Sequence, residues 1–298
     1  MLNQLHTLTQ INLDDLVSSF GWQNRPALAH ILRKVFYKHS QKFAGFMLEF
    51  DFAVAKHGLV EASRLTQKHF VHDVRVFGLG LIPDSAFLAL SNHPGMSDTL
   101  SAFCALNRPD LKIIALDRPF LNALPNMSKQ LLYLKEDSAS RVSLVRQITS
   151  HLRNGGAALT FPAGHIEPDP DVYDGALHSL QSWTKSAGVF IRMAPETAIL
   201  PILVRGVIWE KTARHILLLL KKTREEKEKL AAALQLLTHV ILNNRDVHVR
   251  VQIGNPVYAK DLGTTETEVI HQAVITEMKQ LLENPPRGNG VNVLLERN

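Results

Sequence analysis

Hydrophobic residues in the first seventy positions recur every three or four residues, and this spacing predicts amphipathic helices. Pro26 fits the first turn of such a helix, where the missing N–H of proline costs no hydrogen bond. The residues that carry the pattern are Leu28, Ile31, Leu32, Val35, Phe36, Phe43, Phe46, Met47 and Phe50. Residues 1–72 are therefore predicted to form a helical N-terminal region.

The same stretch is basic. No Asp or Glu occurs between Leu16 and Leu48, whereas five cationic side chains do: Arg25, Arg33, Lys34, Lys38 and Lys42. A basic amphipathic helix with aromatic residues on one face can lie in the interface of a membrane. The alternative is that the apolar face packs on the rest of the protein and the charges face solvent. The pattern alone leaves both interpretations open.

From Asp73 onward the pattern changes to short hydrophobic runs separated by helical segments. Continuous apolar runs of this length are typical of strands that are covered on both faces. The predicted strands are 74–78, 86–91, 111–116, 131–134, 157–161, 199–204 and 247–253. The predicted helices include 99–106, 141–153, 177–186 and 221–243.

Buried strands that alternate with helices predict an α/β fold. We expect residues 73–284 to form a mixed, mostly parallel sheet flanked by helices. Residues 285–298 begin with two prolines and contain two glycines, so we expect a loop and a C-terminal tail there.

Composition and charge narrow the function classes. The chain has 298 residues, a formal net charge of +5 and a single cysteine, so it cannot form an intrachain disulfide. Cys104 lies among small and apolar residues, so we expect it to pack in a helix rather than to act as a nucleophile. The positive charge suits an anionic partner. Because no nucleic-acid-binding motif is present, we expect no nucleic-acid partner.

The chain shows neither a signal-peptide pattern nor an apolar run long enough to cross a membrane. We therefore expect a cytoplasmic protein that contacts the inner membrane surface peripherally.

The segment 91–98, SNHPGMSD, lies between a predicted buried strand and a predicted helix. Active sites of α/β sheets form at such strand ends. Pro94 and Gly95 break the chain between His93 and Asp98, so a turn can bring the two side chains together. A histidine oriented by a carboxylate can remove a proton from a hydroxyl at neutral pH. No GxSxG motif or marked nucleophile is present, which favours a substrate hydroxyl as the attacking group.

Several blocks occur in the order found in the 1-acylglycerol-3-phosphate acyltransferase superfamily of glycerolipid acyltransferases. Residues 92–98 resemble the NHxxxxD block, and residues 115–125 are similar to the stretch with the pattern AKxLFxxP. Residues 131–134 resemble the strand of the second block. Residues 161–164 resemble the FPEG block and residues 200–202 the VPV strand.

This resemblance covers about residues 73–207 and implies an acyltransferase of lipid metabolism and phospholipid synthesis. The implied donor is acyl-CoA or acyl-carrier protein, and the implied acceptor is a hydroxyl of a lipid or lipid precursor. The implied catalytic pair is His93, as general base, and Asp98, which orients it. The implied substrate-binding residues are Asn92, Gly95, Arg118, Lys135, Phe161, Pro162, Gly164 and Glu167.

Two positions depart from the family pattern where the family recognises its acceptor. Ala163 stands where the FPEG block has Glu, and residues 135–137 replace a stretch in which an Arg is thought to hold the acceptor phosphate. Arg118, Lys135 and Arg141 can supply the missing positive charge, and Glu167 can replace the lost carboxylate. Equally, the acceptor can be one that carries no glycerol phosphate.

Two other functions fit the same residues. A thioesterase or esterase would use His93 to activate water and would release free fatty acid without an acceptor. A non-catalytic lipid-binding protein would keep the fold without the chemistry. Backbone N–H groups near Gly95 or Gly164 are candidates to bind the oxyanion of an acyl-transfer intermediate. Thioester chemistry needs no metal, and the spacing of His165, Glu167 and His178 matches no standard metal site, so we expect neither metal nor cofactor.

Overall fold

The computed structural model describes residues 2–242 and 245–295. The helices are α1 (Leu2–Phe20), α2 (Pro26–His57), α3 (Leu59–Phe70), α4 (Met96–Leu106), α5 (Pro119–Asn122), α6 (Pro125–Ser128), α7 (Ser138–Arg153), α8 (Ala176–Ser179), α9 (Ser186–Met193), α10 (Glu210–Ala213), α11 (Arg224–Leu242), α12 (Ala259–Leu262) and α13 (Thr267–Glu283). The strands are β1 (Asp73–Phe77), β2 (Phe87–Ser91), β3 (Lys112–Leu116), β4 (Leu131–Leu134), β5 (Ala157–Thr160), β6 (Ala198–Arg205), β7 (His248–Ile253) and β8 (Val291–Asn292). Short 3₁₀ helices span Leu79–Leu81, Leu180–Ser182 and Ile216–Leu220.

The strands form one sheet in the order β4-β3-β5-β2-β6-β7-β1-β8. All neighbouring pairs are parallel except β6–β7 and β1–β8, which are antiparallel. Strand β2 lies between β5 and β6, with Phe87 opposite both Ala157 and Ala198. The predicted mixed, mostly parallel sheet is therefore confirmed.

Alternate residues of the central strands face two separate hydrophobic cores. Phe87 and Ala89 of β2 pack into the core shared with α2, α3 and α4, whereas Leu88 and Leu90 pack into the core shared with α7, α9 and α13. All five residues of β2 are buried. Coverage on both faces explains why this strand has no polar alternation in the sequence.

The N-terminal helices pack on the α/β domain through the second half of α2 and through α3. Phe43 and Met47 are buried there. The buried Asp51 accepts hydrogen bonds from the backbone N–H groups of Asn126 and Met127 at 2.9 and 2.8 Å, and so caps α6. In the first half of α2, Leu32 is buried against Leu16 and Val17 of α1, whereas Ile31 and Val35 are exposed. None of the described helices combines the length and the hydrophobicity needed to cross a bilayer.

Three sequence expectations differ from the structure in detail. Residues 177–186 do not form one helix, because the backbone becomes extended at Trp183, whose side chain turns inward and is buried. Strand β8 was not predicted, since it has only two residues, which pair with β1. The predicted helix 221–243 begins only at Arg224. Thr223 and Glu226 cap this start, because the backbone N–H of each donates to the side chain of the other. Asn243 lies outside the described residues.

Candidate active site

The carboxyl ends of β2, β3, β4, β5 and β6 lie at one edge of the sheet, because these strands run parallel. Strand β2 ends at Ser91 and α4 begins at Met96, so His93 lies in the turn between them. Residue 161 follows β5, the neighbour of β2, directly. The fold thus brings His93 and residues 161–164, FPAG, to the same edge of the sheet.

His93 and Asp98 contact each other across this turn. The Nδ1 atom of His93 lies 2.9 Å from Oδ2 of Asp98, whose side chain is fully buried. The same oxygen accepts the N–H of Gly95 at 2.8 Å, and Oδ1 accepts the hydroxyl of Thr99 at 2.8 Å. Because a carboxylate only accepts, the proton of neutral His93 belongs on Nδ1 and Nε2 is left to take another.

The surroundings of His93 favour its protonated form. Burial lowers the pKa of His93, but the charge and hydrogen bond of Asp98 and the charge of Glu167 raise it more, so the pKa lies above its ordinary value of 6.5. The ring of Phe161 lies against the imidazole, with 4.8 Å between ring centroids. The side chain of His93 is nevertheless 31% exposed, which leaves it accessible to a substrate.

Glu167 holds the backbone of His93 in place. Its Oε2 accepts the N–H of His93 at 3.1 Å, and its own N–H donates to the carbonyl of His93 at 2.8 Å. Its Oε1 accepts from the hydroxyl of Ser179 at 3.0 Å and from Nε1 of Trp183 at 2.8 Å. Burial raises the pKa of the Glu167 carboxyl, and these donors offset only part of that rise. We expected Glu167 to contact substrate; its 1% exposure places it behind the histidine instead.

We predict that Glu167→Gln lowers kcat by about tenfold or more, because the amide must place an N–H against one of the donors and so shifts His93. The acid limb of the pH profile should also move to lower pH, since the Glu167 charge raises the pKa of His93. KM for the donor should stay unchanged. Steady-state kinetics against pH measure both effects. A raised KM at unchanged kcat would instead place Glu167 in contact with substrate.

Asn92 ties the end of β2 to β6. Its side-chain Nδ2 donates to the carbonyl of Val204 and its Oδ1 accepts the N–H of Val204, both at 2.8 Å. The residue is buried. Asn92 was expected to bind substrate, but both ends of its amide are used within the protein, so it orders the strand end that carries His93.

The substitution Asn92→Ala should lower the free energy of unfolding by about 2 kcal/mol, because it leaves both buried polar groups of Val204 without their partner. Chemical denaturation measures this loss. Asn122→Ala is the matched control, since the Asn122 amide makes an exposed hydrogen bond to Asp117. Equal stability of the two variants would contradict the role of Asn92 in joining the end of β2 to β6.

A loop that the sequence did not mark packs on the catalytic turn. A Cβ atom added at Gly95 would lie 3.3 Å from Val207 and 3.6 Å from Ile208, so glycine permits this close approach. The loop is held by the buried Asp169, whose carboxylate accepts the N–H groups of Gly206, Val207 and Ile208 at 2.9, 2.6 and 2.8 Å. In the sequence, Asp169 is marked only by its place in the acidic, proline-containing stretch 168–171, PDPD.

Arg118 and Lys135 lie at the same sheet edge but not beside His93. Arg118 follows β3 and Lys135 follows β4, and both are exposed. Lys135 pairs with Asp117 at 3.9 Å. Strand β5 separates β3 from β2, so the backbone positions that carry these two cations are about 10 Å or more from His93 along the edge. That separation suits the far end of a substrate rather than its reacting atom.

The turn after β5 is held by its own backbone bonds. The N–H of Gly164 donates to the carbonyl of Phe161 at 3.1 Å, and the carbonyl of the buried Pro162 accepts the N–H of Thr184 at 3.1 Å. Because the N–H of Gly95 likewise donates to Asp98, neither glycine N–H considered for the oxyanion is available to it.

A cluster of potential metal ligands, His72, Asp73 and His248, lies elsewhere, with ligand atoms within 4.8 Å of one another. Nε of Arg75 donates to the same Asp73 carboxylate at 2.7 Å, and Nδ1 of His248 lies 2.9 Å from its other oxygen. The carboxylate is therefore neutralised by a cation of the protein, and we assign no metal to this cluster.

The chain matches no protein-family model and no curated protein sequence. Among solved structures it is similar to the crystal structure of the 1-acyl-sn-glycerophosphate (LPA) acyltransferase, PlsC, from Thermotoga maritima. The two are 19% identical, with a TM-score of 0.43, over 90% of this chain and 94% of that chain.

Proposed function

We propose that this protein transfers an acyl group from a thioester donor, acyl-CoA or acyl-carrier protein, to a hydroxyl of a lipid or lipid precursor. One observation carries the proposal: His93 and Asp98 form a 2.9 Å pair at the carboxyl edge of the sheet, with an accessible imidazole. Among the described residues, no serine hydroxyl or cysteine thiol is hydrogen-bonded to that imidazole, so the attacking group comes from the substrate. Cys104 is buried, and burial raises the pKa of its thiol to about 12, which makes it a poor nucleophile.

The reaction proceeds in one displacement. Nε2 of His93 takes the proton of the acceptor hydroxyl as its oxygen attacks the thioester carbonyl carbon. The buried Asp98 carboxylate stabilises the imidazolium that forms. The C–S bond of the tetrahedral intermediate then breaks, and His93 returns the proton to the leaving thiolate. The products are an ester and a free thiol.

The oxyanion of the intermediate takes its hydrogen bonds from the first turn of α4 in this proposal. N–H groups of a first helical turn have no partner within the helix, and those of Met96 and Ser97 follow the turn that carries His93. At the far end of the acceptor, Arg118 and Lys135 provide the positive charge for a phosphate.

The test is thiol release from a long-chain acyl-CoA by the full chain, with and without hydroxyl acceptors. The acceptors are glycerol 3-phosphate, a 1-acylglycerol 3-phosphate and a long-chain alcohol without phosphate. We expect release to require an acceptor and to yield an acylated product, identified by mass spectrometry. If acyl-CoA gives no release, the same panel is repeated with acyl-carrier protein.

Hydrolysis is the competing function, because the same base can activate water. It predicts free fatty acid at the full rate of donor consumption, with or without acceptor. Acceptor-independent release would therefore replace the transferase proposal with a thioesterase. Donor and acceptor binding without turnover in any combination would leave a lipid-binding role.

A further inference from the structure

Three large hydrophobic side chains project from the 3₁₀ helix Ile216–Leu220, which we call the apolar knob. Ile216, Leu219 and Leu220 are 74%, 78% and 74% exposed. Single exposed hydrophobic residues are ordinary, but a contiguous group at a protrusion marks a contact surface. In a 3₁₀ helix residues three apart lie on one face, so Ile216 and Leu219 point the same way.

The knob is anchored to the body of the protein. Leu218 is buried among Leu230 and Ala231 of α11, with Phe20 of α1 packed against them. The N–H of Lys221 donates to the carbonyl of Leu218 at 3.1 Å, and the N–H of Leu217 donates to Nδ1 of His215 at 3.2 Å. The exposed leucines are therefore presented by a held turn, not by a loose tail.

The segment that carries the knob is basic. No Asp or Glu occurs from Lys211 to Arg224, whereas this stretch contains Lys211, Arg214, Lys221, Lys222 and Arg224. Two of these cations pair with acids outside the stretch, Arg214 with Glu210 at 2.7 Å and Arg224 with Glu228 at 2.7 Å. The lysines on either side of the knob leave it with a positive border.

We propose that the apolar knob docks this protein on an anionic phospholipid bilayer. Ile216, Leu219 and Leu220 enter the boundary between headgroups and acyl chains, and Lys211, Lys221 and Lys222 contact lipid phosphates. Apolar side chains bordered by cations match the two layers of such a surface, acyl chains below and negative headgroups above. An anionic bilayer offers negative charge to such a border at every point, whereas a protein partner would need acidic groups placed to match it.

Docking through the knob orients the candidate active site. Gln235 of α11 accepts the N–H of Trp209 at 2.6 Å and donates to the carbonyl of Val207 at 2.5 Å. Val207 is the residue that approaches Gly95. The knob is thus linked through α10 and α11 to the loop beside His93, so in this proposal docking holds the candidate active site in a fixed orientation to the bilayer. This inference goes beyond the proposed reaction and does not require it.

The experiment is sedimentation of the full chain with two kinds of vesicle. One contains phosphatidylcholine with about 30% of the anionic lipid phosphatidylglycerol, and the other contains phosphatidylcholine alone. We expect binding to the anionic vesicles only, weakened by salt. Leu219→Ser/Leu220→Ser should weaken binding by about 30-fold or more, because the variant lacks two large apolar side chains that move from water into the bilayer on binding. Lys221→Gln/Lys222→Gln should weaken it by about fivefold per lysine at low salt. Circular dichroism confirms that each variant folds.

Two control variants carry the same kind of change elsewhere. Val142→Ser/Val269→Ser alters exposed residues on α7 and α13 and should bind as wild type. Ile31→Ser/Val35→Ser alters the exposed face of α2, the alternative membrane contact. Loss of binding in the α2 variant with none in the knob variant would overturn the proposal, as would absent binding by wild type. If wild type is a dimer that the knob variant dissociates, without vesicle binding, the knob is a contact between two copies.

Discussion

Replacing His93 with alanine is expected to lower kcat for acyl transfer by about 10³-fold, the usual range for loss of a general base. The remaining rate would come from positioning of donor and acceptor. KM should change little, because the imidazole acts on the proton that moves in the transition state. The measurement is acceptor-dependent thiol release with the best acceptor of the panel.

His165→Ala is the matched control for this variant. His165 lies two residues from Glu167 and is exposed, so its loss should leave kcat within about twofold. Retention of more than a tenth of the activity by the His93 variant would exclude His93 as the base. Equal acceptor-independent release by both proteins would point to a contaminating hydrolase.

The same pair predicts how stability depends on pH. The pKa of His93 is raised above 6.5 in the folded state, so the unfolded chain releases its proton first as pH rises. The stabilisation by the protonated His93 is therefore complete below pH 6.5 and is lost as pH rises through the folded-state pKa. The difference in Tm between wild type and His93→Ala should shrink across that window. A difference that grows with pH would contradict the assigned shift.

The local sequence pattern was sufficient to predict the parts of the fold that depend on residues close together in the chain. Strand β2 was predicted because Phe87 to Leu90 is covered on both faces, and such a strand needs an unbroken apolar run. The approach of His93 and Asp98 was predictable for the same reason, because five residues with Pro94 and Gly95 between them form one turn.

What the sequence did not show depends on contacts between distant positions. Glu167 bonds to the backbone of His93, 74 residues earlier, and the carboxylate of Asp169 binds N–H groups 37 to 39 residues later. A buried carboxylate with several donors has the same sequence signature as an exposed loop acid. The inward turn of Trp183, which divides the predicted helix 177–186, follows from its bond to Glu167 and is equally non-local.

Asp98→Asn is the second substitution with a large expected effect, a fall in kcat of about 10³-fold. The amide can keep the geometry, with its oxygen toward His93 and Gly95 and its NH₂ toward the hydroxyl of Thr99. What it removes is the negative charge that stabilises the imidazolium in the transition state. Only the Glu167 charge would then oppose the effect of burial, so the pKa of His93 should fall and the acid limb of kcat/KM should move to lower pH.

The pH profile separates a catalytic carboxylate from one that only holds the turn. Thr99→Ala removes one hydrogen bond from the same carboxylate and keeps its charge, so it should cost less than about tenfold and leave the acid limb in place. If Asp98→Asn instead behaves like Thr99→Ala, the carboxylate acts through structure alone. A large fall in kcat together with a displaced limb would show that the charge of Asp98 is what His93 needs to carry a proton between two substrates.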